Sequence, residues 1–284
     1  MLSSKPDLVF NLVESVFGKS AFEMNIPAIL ELLNIPYTGS SPLAIALALD
    51  KAVTKKLLAF HDIRTPDFIV AHTPADVEDV QLHYPLFIKP LCEDGSIGIS
   101  ELSIVSGRDA LSQSVQVLFD RFGGVLVEEF IGGREFNVSL LGNEQQEVLP
   151  VAEIDYSNMP KHVPNILSYN AKWVKESPEY MCSKPVCPAK VSDEVRSRLM
   201  KAAVDAYRCL ELSGYGRVDF RMGSEEQLYV IDVNPNPCIA PDAGLAVAAK
   251  AAGISYGKLV EKIVRYGIEK ATGVQKGERQ CVAG

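Results

Sequence analysis

The sequence predicts a protein of mixed α/β class, in the α+β sense, built from short strands and amphipathic helices. Apolar runs such as Leu86–Ile88 and Val125–Ile131 have the length of buried strands. Apolar residues at helical spacing mark Ser20–Leu33 and the segment that follows Ser192. The 284 residues are 47% hydrophobic, enough for two domains or for one large domain with a small partner.

The N-terminal part of the chain predicts one strand and two helices. Leu8–Leu12 has the composition of a short buried strand, which we expect to belong to a parallel sheet. Helices are expected over Ser20–Leu33 and from Ser41 through Leu58. One strand and two helices cannot close a core alone, so this region is expected to be part of a domain.

The remaining elements follow in order along the chain. After Leu86–Ile88 and Val125–Ile131, strands are expected over Phe136–Leu141 and Glu147–Ile154. Asp155–Pro188 predicts a long loop, of a length that is usually functional or disordered. The last predicted elements are a helix from Ser192 to Gly214, a hairpin, helices from Asp242 through Ala252 and from Ser255 through Lys270, and a disordered tail over Gly273–Gly284.

The hairpin predicts a magnesium site. Its first strand carries Asp219, and the return strand ends in Asp232 and Asn234, which are two residues apart and share a face. Two carboxylates and an amide oxygen are hard ligands that suit Mg²⁺. A solvated acidic hairpin is the alternative interpretation of this stretch.

A second stretch predicts a phosphate-binding loop. A buried strand delivers Lys89, and the turn-rich segment 93–98 around Ser96 follows. Glycines beside a serine let backbone N–H groups approach phosphate oxygens, and a lysine supplies positive charge. The loop is not a Walker A motif, because no Gly-Lys-Ser/Thr closes it. A plain turn is the alternative.

Adjacent glutamates interrupt the apolar strand that follows. Glu128 and Glu129 lie among hydrophobic neighbours, so one of them must turn toward the buried face of the strand. Such burial is costly for a carboxylate without a partner.

Composition excludes several other functions. The net charge of −8 and the lack of a basic block argue against nucleic acid as a partner. No apolar run reaches the length of about 18 residues that a membrane span needs. Six scattered cysteines and four isolated histidines form no zinc or disulfide pattern, so reduced thiols and a cytoplasmic location are expected.

Taken together, the motifs resemble the ATP-grasp superfamily and, within it, the D-alanine–D-alanine ligases. The matching segments occur in family order: ELLNIPYTGS (31–40), ALDK (48–51), FIKPLCEDGSIGIS (87–100), LVEEFIGGREFNVSLLG (126–142), YNAKW (169–173), GRVDF (216–220) and IDVNPNP (231–237). The resemblance implies an ATP-grasp fold, in which two α+β subdomains (48–120 and 121–270) clamp ATP. A partial parallel α/β domain (1–47) precedes them, and a tail (271–284) follows.

The resemblance also implies a role for each matching residue. Arg217 and Lys172 are implied as catalytic residues, Arg217 near the tetrahedral intermediate and Lys172 reaching the phosphates. The ATP-binding residues implied are Lys51 and Lys89 at the phosphates, Ser96 in the loop that covers them, Glu128, Glu129 and Ile131 at the adenine edge, and Glu135 at the ribose. Asp219, Asp232 and Asn234 are implied as ligands of two Mg²⁺ ions, which Mn²⁺ could replace.

The implied reaction is ATP-dependent amide or peptide bond formation through an acyl phosphate. Its partners would be ATP, a small carboxylate and an amine, such as amino acids, and a homodimer is a further expectation. A ligase of the same fold for other amino acids or for a small carboxylic acid is one alternative. A nucleotide-binding fragment without ligation activity is another.

Three features depart from the family pattern. The family begins with an additional strand–helix–strand region, without which we expect exposed apolar surface from Val9, Leu12, Phe22 and Ile26. Asn236-Pro237-Cys238 stands where those ligases have a Ser-Pro-Gly type loop. The tyrosine common after the loop lysine is Trp173, and one serine of the phosphate loop is Gly95. The last two departures concern the substrate more than the ATP chemistry.

Overall fold

A computed structural model describes residues 5–281 of the chain, with side-chain burial described to residue 273. Its α-helices are α1 (Asn25–Leu32), α2 (Pro42–Leu49), α3 (Lys51–Phe60), α4 (Arg108–Phe122), α5 (Tyr169–Trp173), α6 (Pro178–Cys182), α7 (Asp193–Cys209), α8 (Gly244–Ala251) and α9 (Tyr256–Cys281). Its strands are β1 (Phe68–Ala71), β2 (Leu86–Pro90), β3 (Ile104–Val105), β4 (Val125–Glu129), β5 (Arg134–Gly142), β6 (Glu147–Val148), β7 (Ala152–Asp155), β8 (Lys184–Val186), β9 (Gly214–Met222) and β10 (Leu228–Asn234). The mixed α+β class predicted from the sequence is confirmed.

The smaller sheet has the order β1-β4-β2-β3, and its strands pair antiparallel. Side chains alternate between its two faces, as the strand period requires. Leu86, Ile88 and Val127 lie in a core with helix α4. Lys89 and Glu128, on the intervening positions, line a cleft on the other face.

The larger sheet has the order β10-β9-β5-β7-β8, again with antiparallel pairs, and β6 pairs with the end of β5. Phe136, Val138 and Phe220 pack with helix α7 in the main core. The ends of β5 and β9 pack against α8 and α9 in a further apolar cluster. The polar residues between these core positions face the cleft, so the two sheets together position the site.

The N-terminal strand prediction is wrong in extent. Leu8–Leu12 forms only one parallel bridge, between Val9 and Tyr37, with hydrogen bonds of 2.8 and 3.1 Å. A single bridge on one side does not make a strand. Leu12 and Phe22 are 58% and 37% exposed, as expected, whereas Val9 and Ile26 are half-buried.

The helix predicted from Ser41 through Leu58 is two helices. Ser41 caps α2 through the amide of Ala44, but the backbone at Asp50 is extended, with ψ at 100°. Asp50 Oδ1 accepts 3.0 Å hydrogen bonds from the amides of Ala52 and Val53 and starts α3. Asp50 therefore separates two helices that the periodicity of apolar residues alone predicts as one.

Other boundaries also differ from the sequence prediction, among them Ser20–Leu33, which is a short 3-10 helix (Ser20–Phe22) followed by α1. The predicted strand Glu147–Ile154 is the two strands β6 and β7, and the predicted loop Asp155–Pro188 contains α5, α6 and β8. Helix α7 begins after Ser192 as predicted but ends at Cys209, and Gly214 (φ +78°) starts β9 instead of ending the helix. Asp242 makes no capping hydrogen bond to α8.

The last helix, α9, continues to Cys281, through most of the segment predicted as a disordered tail; the prediction for 282–284 lies outside the described residues. Among residues 5–281, no helix has both the length and the apolar character of a membrane span. The domain boundaries at 47, 120 and 270 stay predictions. Cys92, Cys182, Cys187, Cys209 and Cys238 are free thiols, as predicted.

Hydrogen exchange should separate the N-terminal segment from the central hairpin. We expect amides in residues 8–33 to exchange well before those of β9, because β9 is paired on both sides, whereas residues 8–33 contain no paired strand and their one α-helix, α1, is only eight residues long. Mass spectrometry of peptic peptides from the native protein measures both regions at once. Equal protection of the two would contradict the expectation.

Candidate active site

One cleft of about 750 Å³ lies between the cleft-facing sides of the two sheets and is closed in part by the loops beside them. Its wall includes every residue singled out from the sequence: Lys51, Lys89, Ser96, Glu128, Glu129, Ile131, Glu135, Lys172, Arg217, Asp219, Asp232 and Asn234. The structure therefore brings the predicted residues together in one site.

The register of the larger sheet arranges its polar face. Asp219 on β9 stands opposite Asn137 on β5 and opposite Asp232 on β10. Arg217, two residues earlier on the same face, stands opposite Asn234. The predicted metal ligands thus occupy neighbouring positions on adjacent strands.

Asp219 is held by two neighbours. Arg217 donates two hydrogen bonds to its carboxylate, from Nε at 2.7 Å and from a terminal nitrogen at 2.8 Å. The amide of Asn137 donates a third, at 2.7 Å. Such bidentate charge-assisted bonds are strong and fix orientation. Asp219 is 7% exposed, so its charge needs these partners.

Four cations surround the second aspartate. Burial alone would raise the pKa of Asp232, but the charges of Lys51, Lys89, Lys172 and Arg217 together hold that pKa below its usual range. Lys51 Nζ lies 4.0 Å from Asp232 and 3.7 Å from Asp94. Asp232 is therefore ionised at neutral pH.

Lys172 holds its proton less tightly than an ordinary lysine does. Burial and the nearby charge of Arg217 lower its pKa, although Asp219 and Asp232 oppose the shift. The protonated form of a buried lysine near another cation is stabilised when an anion binds beside it. This arrangement suits a polyanionic ligand such as a chain of phosphates.

Lys89 ties the two sheets together. The pairing of β10 with β9 shifts between Val230 and Asp232, leaving Ile231 out of the ladder register. Lys89 Nζ donates a 3.0 Å hydrogen bond to the carbonyl of Ile231 and lies 2.7 Å from Glu128. One lysine thus contacts a strand of each sheet.

Glu128 is the glutamate that turns inward, as the sequence requires of one of the pair. It is 3% exposed and lies between two lysines, with Lys89 and Lys55 each 2.7 Å from one of its oxygens. Burial would raise its pKa, but the two lysines hold it below the usual range. Its implied contact with adenine stays a prediction.

Glu129 and Ile131, predicted at the adenine edge, and Glu135, predicted at the ribose, each have partners within the protein. Glu129 Oε1 accepts hydrogen bonds from the His83 amide at 2.9 Å and lies 2.7 Å from the His83 ring. Glu135 accepts from Tyr156 at 2.9 Å and from Arg221 at 2.6 Å. Ile131 follows β4 and offers its carbonyl to Arg221 at 3.3 Å.

An acidic pocket forms one end of the cleft. Burial raises the pKa of Glu23 to about 8, even though Asn236 donates a 3.0 Å hydrogen bond to it. Burial and the charge of Asp94 raise the pKa of Glu14. Asn236 also donates to the carbonyl of Val13 at 3.0 Å, which joins the N-terminal segment to the loop after β10.

The donor set fits magnesium only when phosphate oxygens complete it. Within residues 5–281, no group of three or more His, Cys, Asp or Glu side chains is arranged to hold a metal ion. Asp219, Asp232 and Asn234 supply two carboxylates and an amide, and Mg²⁺ is commonly bound by one or two carboxylates together with substrate phosphates. The residues present fit that mode and not a cage made by protein alone.

Comparison with known proteins identifies the family. Residues 56–265 match the family described as D-ala D-ala ligase C-terminus. The D-alanine–D-alanine ligase of Bordetella petrii is 33% identical over 262 residues, which are 91% of this chain and 75% of that protein. The chain belongs to the D-alanine–D-alanine ligase family.

Two solved structures agree with this assignment. The D-alanine–D-alanine ligase from Bacillus anthracis complexed with ATP has a TM-score of 0.72 at 25% identity, covering 94% of this chain and 81% of that one. The VanG D-Ala:D-Ser ligase from Enterococcus faecalis has a TM-score of 0.76 at 28% identity, covering 92% and 73%. The predicted fold and the predicted class, an ATP-dependent ligase, are confirmed.

Two residues that hold side chains of the site in place were missed by the sequence prediction. Lys55 lies one helical turn after Lys51 on α3 and is fully engaged, by Glu128, by Thr65 Oγ1 at 2.6 Å and by the carbonyl of Pro66 at 2.9 Å. The spacing of four from Lys51 was the available signal. Arg221 lies on β9 opposite Glu135 of β5. It is two residues after Asp219, so the strand period of two places it on the same face and could have indicated it.

The raised pKa of Glu23 predicts a pH-dependent stability. Between the ordinary value of 4.5 and about 8, the folded protein holds a proton that the unfolded chain releases. The contribution of Glu23 to stability is therefore present below 4.5 and is lost as the pH rises toward 8. Glu23→Gln should remove this decline, an effect on the order of a few kcal/mol at pH 8.

Urea unfolding of the native protein and of Glu23→Gln at pH 5 and pH 8 tests this expectation. Glu261→Gln, at an exposed position on α9, is the matched control and should keep the pH dependence of the unmodified protein. If the free energy of unfolding of Glu23→Gln falls between pH 5 and pH 8 as much as that of the unmodified protein, Glu23 is not protonated in the folded state.

Proposed function

We propose that the protein is an ATP- and Mg²⁺-dependent ligase that joins two molecules of D-alanine through an acyl phosphate. The observation that supports this best is the cleft itself. Lys51, Lys89 and Lys172 converge on it from a helix, a strand and a loop helix, facing Asp219 and Asp232 of the hairpin. Cations and carboxylates in one pocket suit a metal–nucleotide complex, whose phosphates and ions need both.

The nucleotide is proposed to lie with its phosphates among the three lysines and its base along β4. Glu128, Glu129 and Ile131 line that side of the cleft, and Glu135 follows on β5. Tyr156 and Arg221 hold the Glu135 carboxylate in place. A carboxylate oriented in this way can accept hydrogen bonds from the ribose hydroxyls.

Asp219, Asp232 and Asn234 are proposed as the protein ligands of two magnesium ions. Such ions, when bound, offset negative charge on the phosphates. The protein's own part is to orient Asp219 through its hydrogen bonds from Arg217 and to keep Asp232 ionised through the surrounding cations. Mn²⁺, which also favours oxygen ligands, is proposed as a substitute.

The proposed reaction has two balanced steps. A substrate carboxylate oxygen takes the γ-phosphoryl group of ATP, and ADP leaves. The amine of the second substrate then forms a C–N bond with that carbonyl carbon, loses a proton, and inorganic phosphate leaves. Arg217 is placed to stabilise the negative charge that develops on the carbonyl oxygen, because it is a fixed cation at the edge of the hairpin.

The acidic pocket supports amino acids as substrates over simple carboxylic acids. Glu14, Glu23 and Asp94 gather beside the proposed phosphate region. A substrate ammonium group beside these carboxyl groups would favour their ionised forms and pair with them, whereas a plain carboxylic acid would add a further acidic group.

A D-alanine–D-serine ligase is the second candidate. The relative VanG carries that name, and residues 236–244, at the amine end of the proposed site, depart from the family's usual Ser-Pro-Gly loop. Asn236, Cys238, Ala240 and Asp242 line the cleft there, so in this candidate they select the amine.

Location and assembly are also proposals. A cytoplasmic location is consistent with an ATP-using enzyme whose described cysteines are free thiols. A homodimer would cover exposed apolar side chains near the N-terminus, among them Phe17 and Leu32. Light scattering after size-exclusion chromatography measures the assembly.

The function is tested by incubating the protein with ATP, MgCl₂ and D-alanine, alone and with D-serine. Formation of ADP together with D-alanyl-D-alanine, measured by mass spectrometry, is the expected result. A mixed D-alanyl-D-serine product would favour the second candidate. ATP consumption with neither product would contradict both, and L-alanine in place of D-alanine is the control for stereochemistry.

Asp232→Asn and Asn234→Ala should each abolish Mg²⁺-dependent ATP turnover while the protein stays folded. The first change removes an anionic ligand and the second a neutral oxygen ligand. Turnover is measured at limiting Mg²⁺, and circular dichroism checks the fold. Asp79→Asn, at a side chain that is 97% exposed, is the matched control. Near-normal turnover in both site variants would remove the hairpin from the active site.

Lys89→Ala should weaken the binding of ATP more than the binding of adenosine, because an ammonium aimed at phosphates offers the nucleoside nothing. One charge-assisted contact is worth about 1.5–3 kcal/mol, roughly a tenfold to hundredfold change in affinity. Calorimetric titration measures both ligands, with Lys56→Ala on the exposed side of α3 as the control. Equal losses for the two ligands would show that Lys89 acts only on the structure.

A further inference from the structure

Two lysines from different elements share one buried carboxylate. Glu128 of β4 is 3% exposed, with Lys89 Nζ of β2 at 2.7 Å from its Oε1 and Lys55 Nζ of α3 at 2.7 Å from its Oε2. Each carboxylate oxygen therefore has one ammonium group beside it. Two cations and one anion leave this group of three side chains with a net positive charge.

The ammonium of Lys55 is fully used by the protein. Three oxygen atoms lie close to its Nζ: Thr65 Oγ1 at 2.6 Å, Glu128 Oε2 at 2.7 Å and the carbonyl of Pro66 at 2.9 Å. An ammonium group has three N–H donors, so none remains for a ligand. Burial lowers the pKa of Lys55 to about 8, so the side chain still carries its charge at pH 7.

The ammonium of Lys89 keeps one donor. Its Nζ contacts Glu128 Oε1 and donates a 3.0 Å hydrogen bond to the carbonyl of Ile231. Within residues 5–281, these two contacts leave one of its three N–H groups without a protein acceptor. Lys89 also lines the cleft, so this donor is available to a ligand bound there.

Glu128 competes with any such ligand for Lys89. A buried carboxylate oxygen without a partner is costly. If Lys55 were uncharged, Lys89 would be the one remaining cation beside Glu128 in the described part of the chain, and its ammonium would turn toward both carboxylate oxygens. With Lys55 on Oε2, Glu128 draws on Lys89 through Oε1 alone.

We propose that Lys55 is a positioning residue that holds one oxygen of Glu128, so that Lys89 keeps an N–H for the phosphates of the bound nucleotide. Lys55 touches no substrate in this scheme and acts through Glu128. The presence of phosphates beside Lys89 rests on the proposed function, whereas the sharing of Glu128 between two lysines does not.

Lys55→Met keeps the length of the side chain and removes its charge. At pH 7, ATP should bind roughly three- to tenfold more weakly, the size expected for one hydrogen bond. Adenosine, which has no phosphate, should bind within twofold of its affinity for the unmodified protein. Calorimetric titration measures both ligands, and Lys56→Met, at the next and exposed position of α3, is the matched control that should change neither affinity. Equal losses for the two ligands in Lys55→Met, or no loss, overturn the proposal.

The double variant Lys55→Met/Glu128→Gln tests the route through Glu128. Glutamine removes the charge that draws on Lys89, so the ratio of ATP affinity to adenosine affinity should return to within twofold of the unmodified protein or exceed it. The ratio cancels any change at the base, because both ligands carry the same base. A ratio that stays threefold or more below that of the unmodified protein overturns the proposal. This variant buries no unpaired carboxylate, so its ratio decides the question even if Lys55→Met does not fold.

A crystal structure of Lys55→Met without nucleotide tests the sharing of Glu128 directly. We expect Lys89 Nζ within hydrogen-bond distance of both oxygens of Glu128, and an unchanged position of Lys89 overturns the proposal. If the unmodified protein binds neither ATP nor adenosine, the proposed function is contradicted. The position of Lys89 in the variant then still decides whether Lys55 holds Glu128 away from it.

Discussion

The pairing register of β5, β9 and β10 is the constraint on which both the core and the site depend. The same strands send Phe136, Val138 and Phe220 into the core and the polar residues between them into the cleft. A slip of one residue would exchange the two faces. The register also sets Asp219 directly against Asp232, an arrangement of like charges that is tolerated because a guanidinium and three lysines surround it. The same strand register is therefore required both for the packing of the core and for the placement of the charged residues in the cleft.

Much of this arrangement could be predicted from short patterns. The hairpin, its turn and the alternation around Asp219 follow from a period of two and from glycine at the turn. Lys89 lies where a buried run ends, and one of two adjacent glutamates had to face inward, as Glu128 does. These features are local, so a single sequence contains them. That these residues converge on one cleft could be predicted only from the resemblance to a known family, because no local pattern indicates that β2 and β10 lie close together.

The errors have local physical causes as well. Asp50 ends one helix and starts the next, but an aspartate inside an apolar pattern gives no unique sign of a break. Gly214 looked like a helix end, although its left-handed backbone serves the start of β9. Lys55 shares a helix face with Lys51, but nothing near it in the sequence shows that it pairs with the distant Glu128. Long-range ion pairs of this kind have no signature in a window of neighbouring residues.

The capping of α3 by Asp50 has a consequence for anion recognition. Helix N-termini often bind phosphate through their free amide groups. Here the carboxylate of Asp50 already occupies the amides of Ala52 and Val53. The start of α3 thus contributes an ammonium, that of Lys51, in place of a nest of N–H groups. Affinity for a phosphate at this end of the cleft should accordingly depend on ionic strength more steeply than it would in a site made of backbone dipoles.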